Sequence, residues 1–486
     1  MTAGVGRSDF VERHGLWSAE QADAAKEVAE IIASGEVELV RFSFPDQHGL
    51  LRGKALIGEA AVEALHNGVN MVTTLLAKDT AHKTVYPVFT QGGGFDMPEM
   101  TGAGDFVMVA DPLTFRRLPW APGTGWMLCD IYWPDGGAIP FSTRDILRRA
   151  EADLTSAGYD YLAGLEVEFH LFEMKNPQLE AAAATQPALP PEVSILAHGF
   201  HYLTEDRFDE LEPAVELIRN AVLELGLPLR STEVEFGPSQ CEFTFRPLSA
   251  LAAADCMVQF RSAVKQVARR HGLHATFMCK PSLPNLFASG WHLHQSLVDR
   301  ATGLNAFMPE NDTELFSSVG RHFVAGLLKH ARASTLFAAP TINAYKRYQP
   351  NSLAPERVAW SLDNRGAMLR ALGGPQDSGT RIENRTGEPA ANPYLYIGSQ
   401  ILAGLDGLKS AAEPQDPTDT PYILNGAERL PRSIMEAVAA LRGDAFFRDQ
   451  FGEAFVDYYL FIKEAEIARF LSAVTDWEQA EYFEMY

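Results

Sequence analysis

Residues 159–172 constrain this chain more than any other segment, because they read as a long strand with two glutamates set among apolar residues. Glu166 and Glu168 alternate with Val167 and Phe169. Residues two apart on a strand point to the same face, so the two carboxylates share one face and the apolar side chains share the other. Neighbouring carboxylates repel unless solvent or a cation neutralises them. A solvated face is the usual explanation for an isolated Glu-x-Glu, and this strand alone does not decide between the two.

A second acidic strand is predicted at 233–246. It carries Glu233, Glu235 and Glu242, again beside aromatic residues. Taken alone, these carboxylates would also fit a solvated face.

A third strand, predicted at 288–298, places His292, His294 and Ser296 on one face. A lone histidine is more often a satisfied core residue. Two histidines at i and i+2, with a serine extending the stripe, favour a site. Trp291, on the other face, is expected to pack.

A fourth region is basic, and its three short motifs supply five arginines. Carboxylates with histidine provide hard ligands for Mg²⁺ or Mn²⁺, and guanidinium groups bind phosphate oxygens. The combination suits phosphoryl transfer, although the chain has neither a Gly-x-x-x-x-Gly-Lys-Ser/Thr loop nor a kinase signature set. The arginines are Arg347, Arg365, Arg370, Arg381 and Arg385.

Composition narrows the class of protein further. The formal net charge of −22 argues against binding the phosphate backbone of a nucleic acid. No apolar run of membrane-spanning length and no signal-peptide pattern is present, so we expect no membrane association and a cytoplasmic location. The four cysteines form no close pair, which favours neither disulfides nor a zinc cluster.

The chain reads as α+β, with a small domain at 1–115 and a large one at 116–486. Glycine- and proline-rich segments mark the predicted junction. Thr143 is predicted to cap a helix that ends at Gly158, and 176–198 to form a surface loop. Further helices are predicted at 18–34, 212–226, 248–271, 313–332 and 432–441.

In their order along the chain, these segments resemble the glutamine synthetase family over roughly 37–475. One motif alone would be weak evidence, but six in the family's order are strong. The motifs are Gly-x-Glu-x-Glu-Phe at 164–169, Gly-Pro-Ser-Gln-Cys-Glu at 237–242, Ser-Gly-Trp-His-Leu-His-Gln-Ser at 289–296, Asn-Ala-Tyr-Lys-Arg at 343–347, Asn-Arg at 364–365 with Arg-Ile-Glu-Asn-Arg at 381–385, and Ala-Ala-Asn-Pro-Tyr at 390–394.

The resemblance implies a β-grasp-like N-terminal domain and a catalytic domain built on a curved antiparallel sheet. It also implies active sites shared between neighbouring subunits of a homo-oligomer, commonly a dodecamer of two hexameric rings. The implied reaction uses ATP to phosphorylate the side-chain carboxylate of L-glutamate, because oxide is a poor leaving group and phosphate is a good one. An amine then displaces the phosphate.

The resemblance also assigns residues to roles. A first metal site would use Glu168, Glu235 and Glu242, with Glu235 chosen over Glu233 by its spacing to Glu242. A second would use Glu166, His292 and Glu383. Nucleotide contacts are implied for His294, Ser296, Arg370 and Arg381, and contacts to glutamate and the transferring phosphate for Arg347, Arg365 and Arg385.

The chain departs from ammonia-using members at the amine side. Leu353 stands where their flap, here residues 345–355, carries a glutamate. Thr73 or Thr74 replaces an N-domain aspartate, and Phe287 replaces an asparagine. A charged amine would lose its cation trap and proton acceptor, whereas a neutral arylamine needs an apolar slot. The predicted amine pocket comprises Thr73, Thr74, Leu75, Leu76, Phe287 and Leu353.

These departures favour γ-glutamylation of a hydrophobic, aromatic amine such as aniline, as in γ-glutamylanilide synthetases of aromatic amine degradation. The alternatives in the same class are a glutamine synthetase or a ligase for isopropylamine, ethanolamine or a polyamine. A non-catalytic relative with a structural or regulatory role is a further alternative. The six retained metal-type ligands argue against it.

Overall fold

The computed structural model of this chain describes residues 9–91, 94–311, 314–423 and 426–486. Helices and sheets are mixed, which confirms the predicted α+β class. Within the described ranges, no helix combines the length and apolar character needed to cross a membrane. The helices are α1 (Phe10–His14), α2 (Ala19–Ala33), α3 (Gly58–Asn67), α4 (Thr143–Ser156), α5 (Glu205–Glu224), α6 (Ala250–Arg270), α7 (Ser318–Lys329), α8 (Ala331–Ala338), α9 (Pro393–Ser410), α10 (Ile434–Arg442), α11 (Ala445–Phe451), α12 (Glu453–Leu471) and α13 (Asp476–Tyr482).

A mixed sheet occupies the N-terminal part of the chain. Its strands are β1 (Leu39–Pro45), β2 (Leu51–Ile57), β3 (Val69–Val72), β4 (Asp105–Ala110), β5 (Arg116–Arg117) and β6 (Thr124–Tyr132). They lie in the order β2-β1-β6-β4-β3, and β5 also pairs with β6. β1 runs parallel to β6 and antiparallel to β2. The alternate residues Val40, Phe42 and Phe44 of β1 are fully buried, so one face of this central strand forms the core.

The N-terminal sheet extends beyond the junction predicted near residue 115. β6 lies between β1 and β4, although it follows that position by several residues. A strand at the centre of a sheet belongs to the same folding unit as its neighbours. We therefore propose that the first domain continues past Tyr132.

The larger sheet is antiparallel except for one pair. Its strands are β7 (Tyr159–Asn176), β8 (Glu192–Ile195), β9 (Leu229–Val234), β10 (Gln240–Phe245), β11 (Leu273–Thr276), β12 (Trp291–Asp299), β13 (Trp360–Leu362), β14 (Leu369–Leu372) and β15 (Arg381–Asn384). They lie in the order β13-β14-β15-β12-β7-β10-β9, and β8 and β11 also pair with β7. The exception is β13, which runs parallel to β14. Leu165, Val167 and Phe169 bury one face of β7, against which α4 and α6 pack.

Two local predictions are corrected by the structure. The cap of α4 is Ser142 rather than Thr143, because the Ser142 hydroxyl accepts a hydrogen bond from the Asp145 amide (3.4 Å) while Thr143 is buried in the first turn. The segment 176–198 is not all loop, since β8 pairs with the end of β7 there.

Two longer predicted elements are divided. The helix predicted at 313–332 forms α7 and α8, which meet at His330, and residue 313 lies outside the described residues. The His330 ring is 2.8 Å from the Asp406 carboxylate. The strand predicted at 233–246 is a hairpin, because Gly237 and Pro238 turn the chain between β9 and β10.

A buried arginine joins the N-terminal region to the larger one. The Arg144 guanidinium, on α4, pairs with Asp111 (2.7 Å), Asp130 (3.0 Å) and Asp255 (2.8 Å). Asp111 follows β4 and Asp130 lies on β6, whereas Asp255 lies on α6. Because all four groups are buried, each charge depends on the others for compensation.

Candidate active site

The four neighbouring strands β10, β7, β12 and β15 bring the acidic and histidine stripes together. Each stripe comes from the i, i+2 spacing of one strand, and antiparallel pairing sets the stripes beside one another. The register pairs Glu166 with His292, Glu168 with Glu242, and Glu383 with His294.

Two groups of potential metal ligands result, and His292 belongs to both. Ligand atoms of Glu166, His292 and Glu383 lie within 4.8 Å of one another, as do those of Glu168, Glu242 and His292. His292 Nδ1 is 2.7 Å from Glu166 Oε1 and 3.6 Å from Glu383 Oε1. Its Nε2 is 4.0 Å from Glu168 Oε1. Carboxylate oxygens with one imidazole nitrogen form a donor set that suits Mg²⁺ or Mn²⁺.

The acidic group formed by Glu168, Glu235 and Glu242, called the first acidic group below, has raised carboxyl pKa values. Burial and the Glu235 carboxylate raise the pKa of Glu168 to about 8. Burial and the neighbouring carboxylates raise the pKa of Glu242 well above its ordinary value. The pKa of Glu235 also rises, mainly through burial, to about 6. A divalent cation would remove the mutual repulsion of the ionised acids, so these residues fit a metal.

The second group, formed by Glu166, His292 and Glu383, combines two ionised carboxylates with a neutral imidazole ring. Burial, together with the charge of Arg385, lowers the pKa of His292 to about 4, which leaves its ring neutral near pH 7. Burial would raise the pKa of Glu166, but hydrogen bonds from His292 and His294 hold it below the ordinary range. Burial likewise opposes ionisation of Glu383, yet His292 and Arg385 lower the pKa of Glu383 to about 2.

Glu235 and Glu233 make different contacts beside the first acidic group. After burial, the Glu235 carboxylate is the main cause of the raised pKa of Glu168. Glu233 instead accepts a hydrogen bond from the Ser231 hydroxyl (3.0 Å) and faces the cavity beside His294. The ligand atoms that lie within 4.8 Å of one another do not include an oxygen of Glu235.

Three of the predicted arginines surround the second group. Arg347 Nη2 is 3.3 Å from His292 Nε2, and its Nη1 donates to the Arg385 carbonyl (3.0 Å). Arg385 forms an ion pair with Glu383, and Arg370 Nη1 donates to the other oxygen of the same carboxylate (3.0 Å). Positive charge is therefore concentrated beside the ligands, where phosphate oxygens would be held.

Arg365 stands apart from this network. Its carbonyl accepts a hydrogen bond from Arg385 Nε (3.0 Å), but its exposed guanidinium makes no hydrogen bond or ion pair within the described ranges. Burial, followed by Glu235, raises the pKa of Tyr202 to about 12, and the charge of Arg365 opposes that rise. The Arg365 guanidinium is therefore exposed and open to an anionic ligand.

A cavity of about 650 Å³ opens beside Glu166. His294, Ser296 and Arg381, all predicted nucleotide contacts, lie in its wall. Arg381 Nε donates to His294 Nδ1 (3.1 Å), which fixes both side chains. Arg370 does not line this cavity, because its guanidinium is held by Asp363 and Glu383.

The predicted amine pocket is only partly assembled in one chain. Thr73 and Leu76 are fully buried in the N-terminal core of this chain, and their place in the amine pocket stays a prediction. Thr74 and Leu75 are half-buried. Leu353 is 61% exposed, and its carbonyl accepts a hydrogen bond from Arg385 Nη2 (3.2 Å), which places it beside the arginine network.

Sequence reasoning missed the role of Gln240. Its side chain is buried and donates to Glu168 Oε2 (3.0 Å), the Ser289 hydroxyl (2.9 Å) and the Ala288 carbonyl (3.3 Å). Gln240 therefore fixes a carboxylate of the first group to the loop before β12. It lies inside a recognisable motif, but nothing in that motif shows where the amide points.

Comparison with known proteins shows the family of the chain. Residues 140–482 match the model of the glutamine synthetase catalytic domain. The chain is 42% identical to a γ-glutamylanilide synthase from Acinetobacter sp over 98% of its own length and 99% of that protein. It is 34% identical to a γ-glutamylethanolamide synthetase from Streptomyces coelicolor, covering 94% and 95% of the two chains. A solved complex of GmaS with ADP superposes with a TM-score of 0.77 at 28% identity, covering 94% of this chain and 99% of that one.

The fold and the acidic sheet thus define a ligase of the ATP-dependent, carbon–nitrogen bond-forming class. The chain belongs to the glutamine synthetase family, whose members generally use ATP and divalent metal ions.

Proposed function

We propose that this ligase joins the side-chain carboxylate of L-glutamate to an aromatic amine, through γ-glutamyl phosphate. The observation that carries the proposal is Leu353, an exposed apolar side chain on the flap, anchored through its carbonyl to the Arg385 guanidinium. The similarity to a γ-glutamylanilide synthase over almost the whole chain supports the same substrate class.

The metal-binding roles follow the two acidic groups. Glu168, Glu235 and Glu242 would hold one Mg²⁺ or Mn²⁺, and Glu166, His292 and Glu383 a second. Such ions supply charge neutralisation for the transferring phosphoryl group. Gln240 would hold the Glu168 carboxylate in position through its hydrogen bond.

We assign the binding of the two anionic substrates, glutamate and ATP, to the arginines and to the cavity. Arg365, whose guanidinium is free of protein partners in the described ranges, would bind the glutamate carboxylate. Arg347 and Arg385 would hold the transferring phosphate beside His292, with Arg370 neutralising Glu383. His294, Ser296 and Arg381 would contact ATP in the 650 Å³ cavity.

The amine preference follows from charge. An ammonium ion placed beside Leu353 would be desolvated without a carboxylate to pair with on the flap. A neutral arylamine gains roughly 25 cal/mol for each Å² of apolar surface that it buries there. The flap therefore favours the neutral aromatic amine.

A small alkylamine is the second candidate. The chain is also similar to the ethanolamide synthetase and, at 32% identity, to a glutamate–isopropylamine ligase from Pseudomonas sp. Members with different amines thus share this scaffold, and the amine must be measured directly.

Phosphate release with ATP, Mg²⁺ and glutamate across a panel of ammonium, ethanolamine, isopropylamine and aniline tests the proposal. We expect aniline to give the highest rate at equal concentration near neutral pH. Leu353→Glu should lower the aniline rate by placing a charge beside the ring, whereas Leu223→Glu, at an exposed leucine on α5, should not. A higher wild-type rate with ammonium or an alkylamine would refute the aromatic amine and leave the ligase class intact.

A further inference from the structure

Three phenylalanine rings form an exposed cluster on the larger domain. Phe200, Phe236 and Phe287 contact one another edge to face. The ring centroids are 5.6 Å apart for Phe200 and Phe236, 4.7 Å for Phe236 and Phe287, and 5.7 Å for Phe200 and Phe287. Each nevertheless keeps 51, 40 and 42% of its surface exposed, respectively. Rings that pack together while remaining open to solvent leave an apolar face available to a ligand.

The cluster is held by backbone contacts between three separate loops. The Phe200 amide donates to the Phe236 carbonyl (2.8 Å). A Cβ on Gly199 would lie 2.4 Å from the Pro238 nitrogen, and one on Gly237 would lie 3.2 Å from the Cβ of Phe287. The two glycines therefore permit a close approach of these loops, at which an added side chain would be crowded.

The same loops carry the first acidic group. Phe236 directly follows Glu235, and its amide donates to Glu235 Oε2 (3.1 Å). Phe287 precedes Ala288, whose carbonyl accepts from Gln240, and Gln240 also donates to Glu168. The ring face and the first acidic group are thus carried by the same loops.

We propose that this phenylalanine cluster is the binding face for the aromatic ring of the amine substrate. The inference rests on the proposed function and extends the predicted amine pocket from Phe287 to Phe200 and Phe236, which are exposed beside it. An arylamine that packs against the cluster directs its nitrogen toward the Glu235 side of the site.

The other two substrates do not suit this face. Glutamate presents carboxylates, which the negative faces of aromatic rings disfavour. The nucleotide cavity, lined by His294, Ser296 and Arg381, contains none of the three phenylalanines in its wall. A neutral aromatic amine is the substrate whose chemistry matches an exposed edge-to-face cluster.

The test compares two nucleophiles in the assembled enzyme. Aniline should use the cluster, whereas hydroxylamine, a small nucleophile that traps γ-glutamyl phosphate as a hydroxamate, has no ring to place there. For Phe200→Ala and Phe287→Ala we expect the ratio of kcat/KM for aniline to that for hydroxylamine to fall about threefold to tenfold for each ring lost. The fall should come mainly from KM for aniline. Phe200→Leu, which keeps apolar volume without the ring, should give an intermediate ratio.

A matched control removes an exposed ring elsewhere. Phe470, on α12, is 39% exposed, and Phe470→Ala should keep the wild-type ratio. An unchanged ratio in both cluster variants, or loss of assembly in place of a changed ratio, would overturn the assignment while the proposed function stands. A wild-type enzyme that forms the hydroxamate but no anilide would instead overturn the proposed function, and this inference with it.

Discussion

At the scale of single residues, His292 links the two halves of the site. Its two ring nitrogens point toward different acidic groups, Nδ1 to Glu166 and Nε2 to Glu168. Burial keeps the ring neutral, as a metal ligand requires. The same imidazole therefore borders both proposed metal sites, so a change in its position would affect both groups.

The metal hypothesis predicts that Glu168→Gln abolishes turnover without unfolding the protein. The substitution preserves the shape of a carboxyl group whose raised pKa keeps it mostly protonated near pH 7 without metal, so thermal stability without metal should not fall. Activity should fall on the order of a hundredfold or more, because charge neutralisation at the reacting phosphoryl group is lost. Steady-state kinetics with a Mg²⁺ titration measures both the rate and the shift in metal dependence.

The control for that substitution is Glu173→Gln, on the same strand but exposed and paired with Lys175. It should retain wild-type activity. Full activity of the wild type in excess chelator would contradict the metal requirement altogether.

At the scale of elements, a buried carboxyl positions the segment that leads into the flap. Glu388 accepts hydrogen bonds from the Thr341 amide and the Thr341 hydroxyl, both at 2.8 Å. The flap follows Thr341 after α8, so this pair sets where the flap begins. Burial raises the pKa of Glu388 to about 7, despite the hydrogen bonds and the charge of Lys463.

A raised carboxyl pKa in the folded state makes stability fall as the pH rises. The folded protein binds the Glu388 proton more tightly than the unfolded chain, so the penalty begins near pH 4.5 and is complete above about 7. It amounts to about 3 kcal/mol at pH 8. Glu388→Gln cannot ionise, so its unfolding free energy should change less between pH 5 and pH 8 than that of the wild type. Denaturant unfolding at both pH values measures this change. An equal change in unfolding free energy between pH 5 and pH 8 in both proteins would contradict the prediction.

At the scale of the whole molecule, hydrogen bonds fasten the N-terminal region to the larger domain. Tyr458, on α12, donates to the Leu76 carbonyl (2.6 Å), and Glu466 accepts from the Thr80 amide (3.2 Å). In the described part of the chain, no hydrogen bond or ion pair joins residues 73–77 to the six proposed metal ligands. We propose that Thr74 and Leu75 complete the site of a neighbouring subunit in a homo-oligomer of two hexameric rings.

Shared sites predict that a dissociated monomer is inactive. On dilution, specific activity should fall together with the mass measured by light scattering, because each site loses the segment supplied by its neighbour. Recovery on reconcentration serves as the control for irreversible loss. A monomeric fraction with full specific activity would exclude sites shared between subunits.

Much of the site could be predicted from the sequence, because strand periodicity is local. The i, i+2 spacing of Glu166 with Glu168, and of His292 with His294, fixes which side chains share a face, whatever the strands pair with. The order of the motifs then indicated the family, and the family model and the near-full-length relatives confirm it.

Only the tertiary structure decided which stripes meet and in what register. Antiparallel pairing across β10, β7, β12 and β15 depends on packing between distant segments, so no local pattern shows that His292 lies opposite Glu166. Loop contacts decided the rest, since Phe200, Phe236 and Phe287 come together through backbone approaches at Gly199 and Gly237. The sequence determined the chemistry of each strand, and long-range packing determined the shape of the space between them.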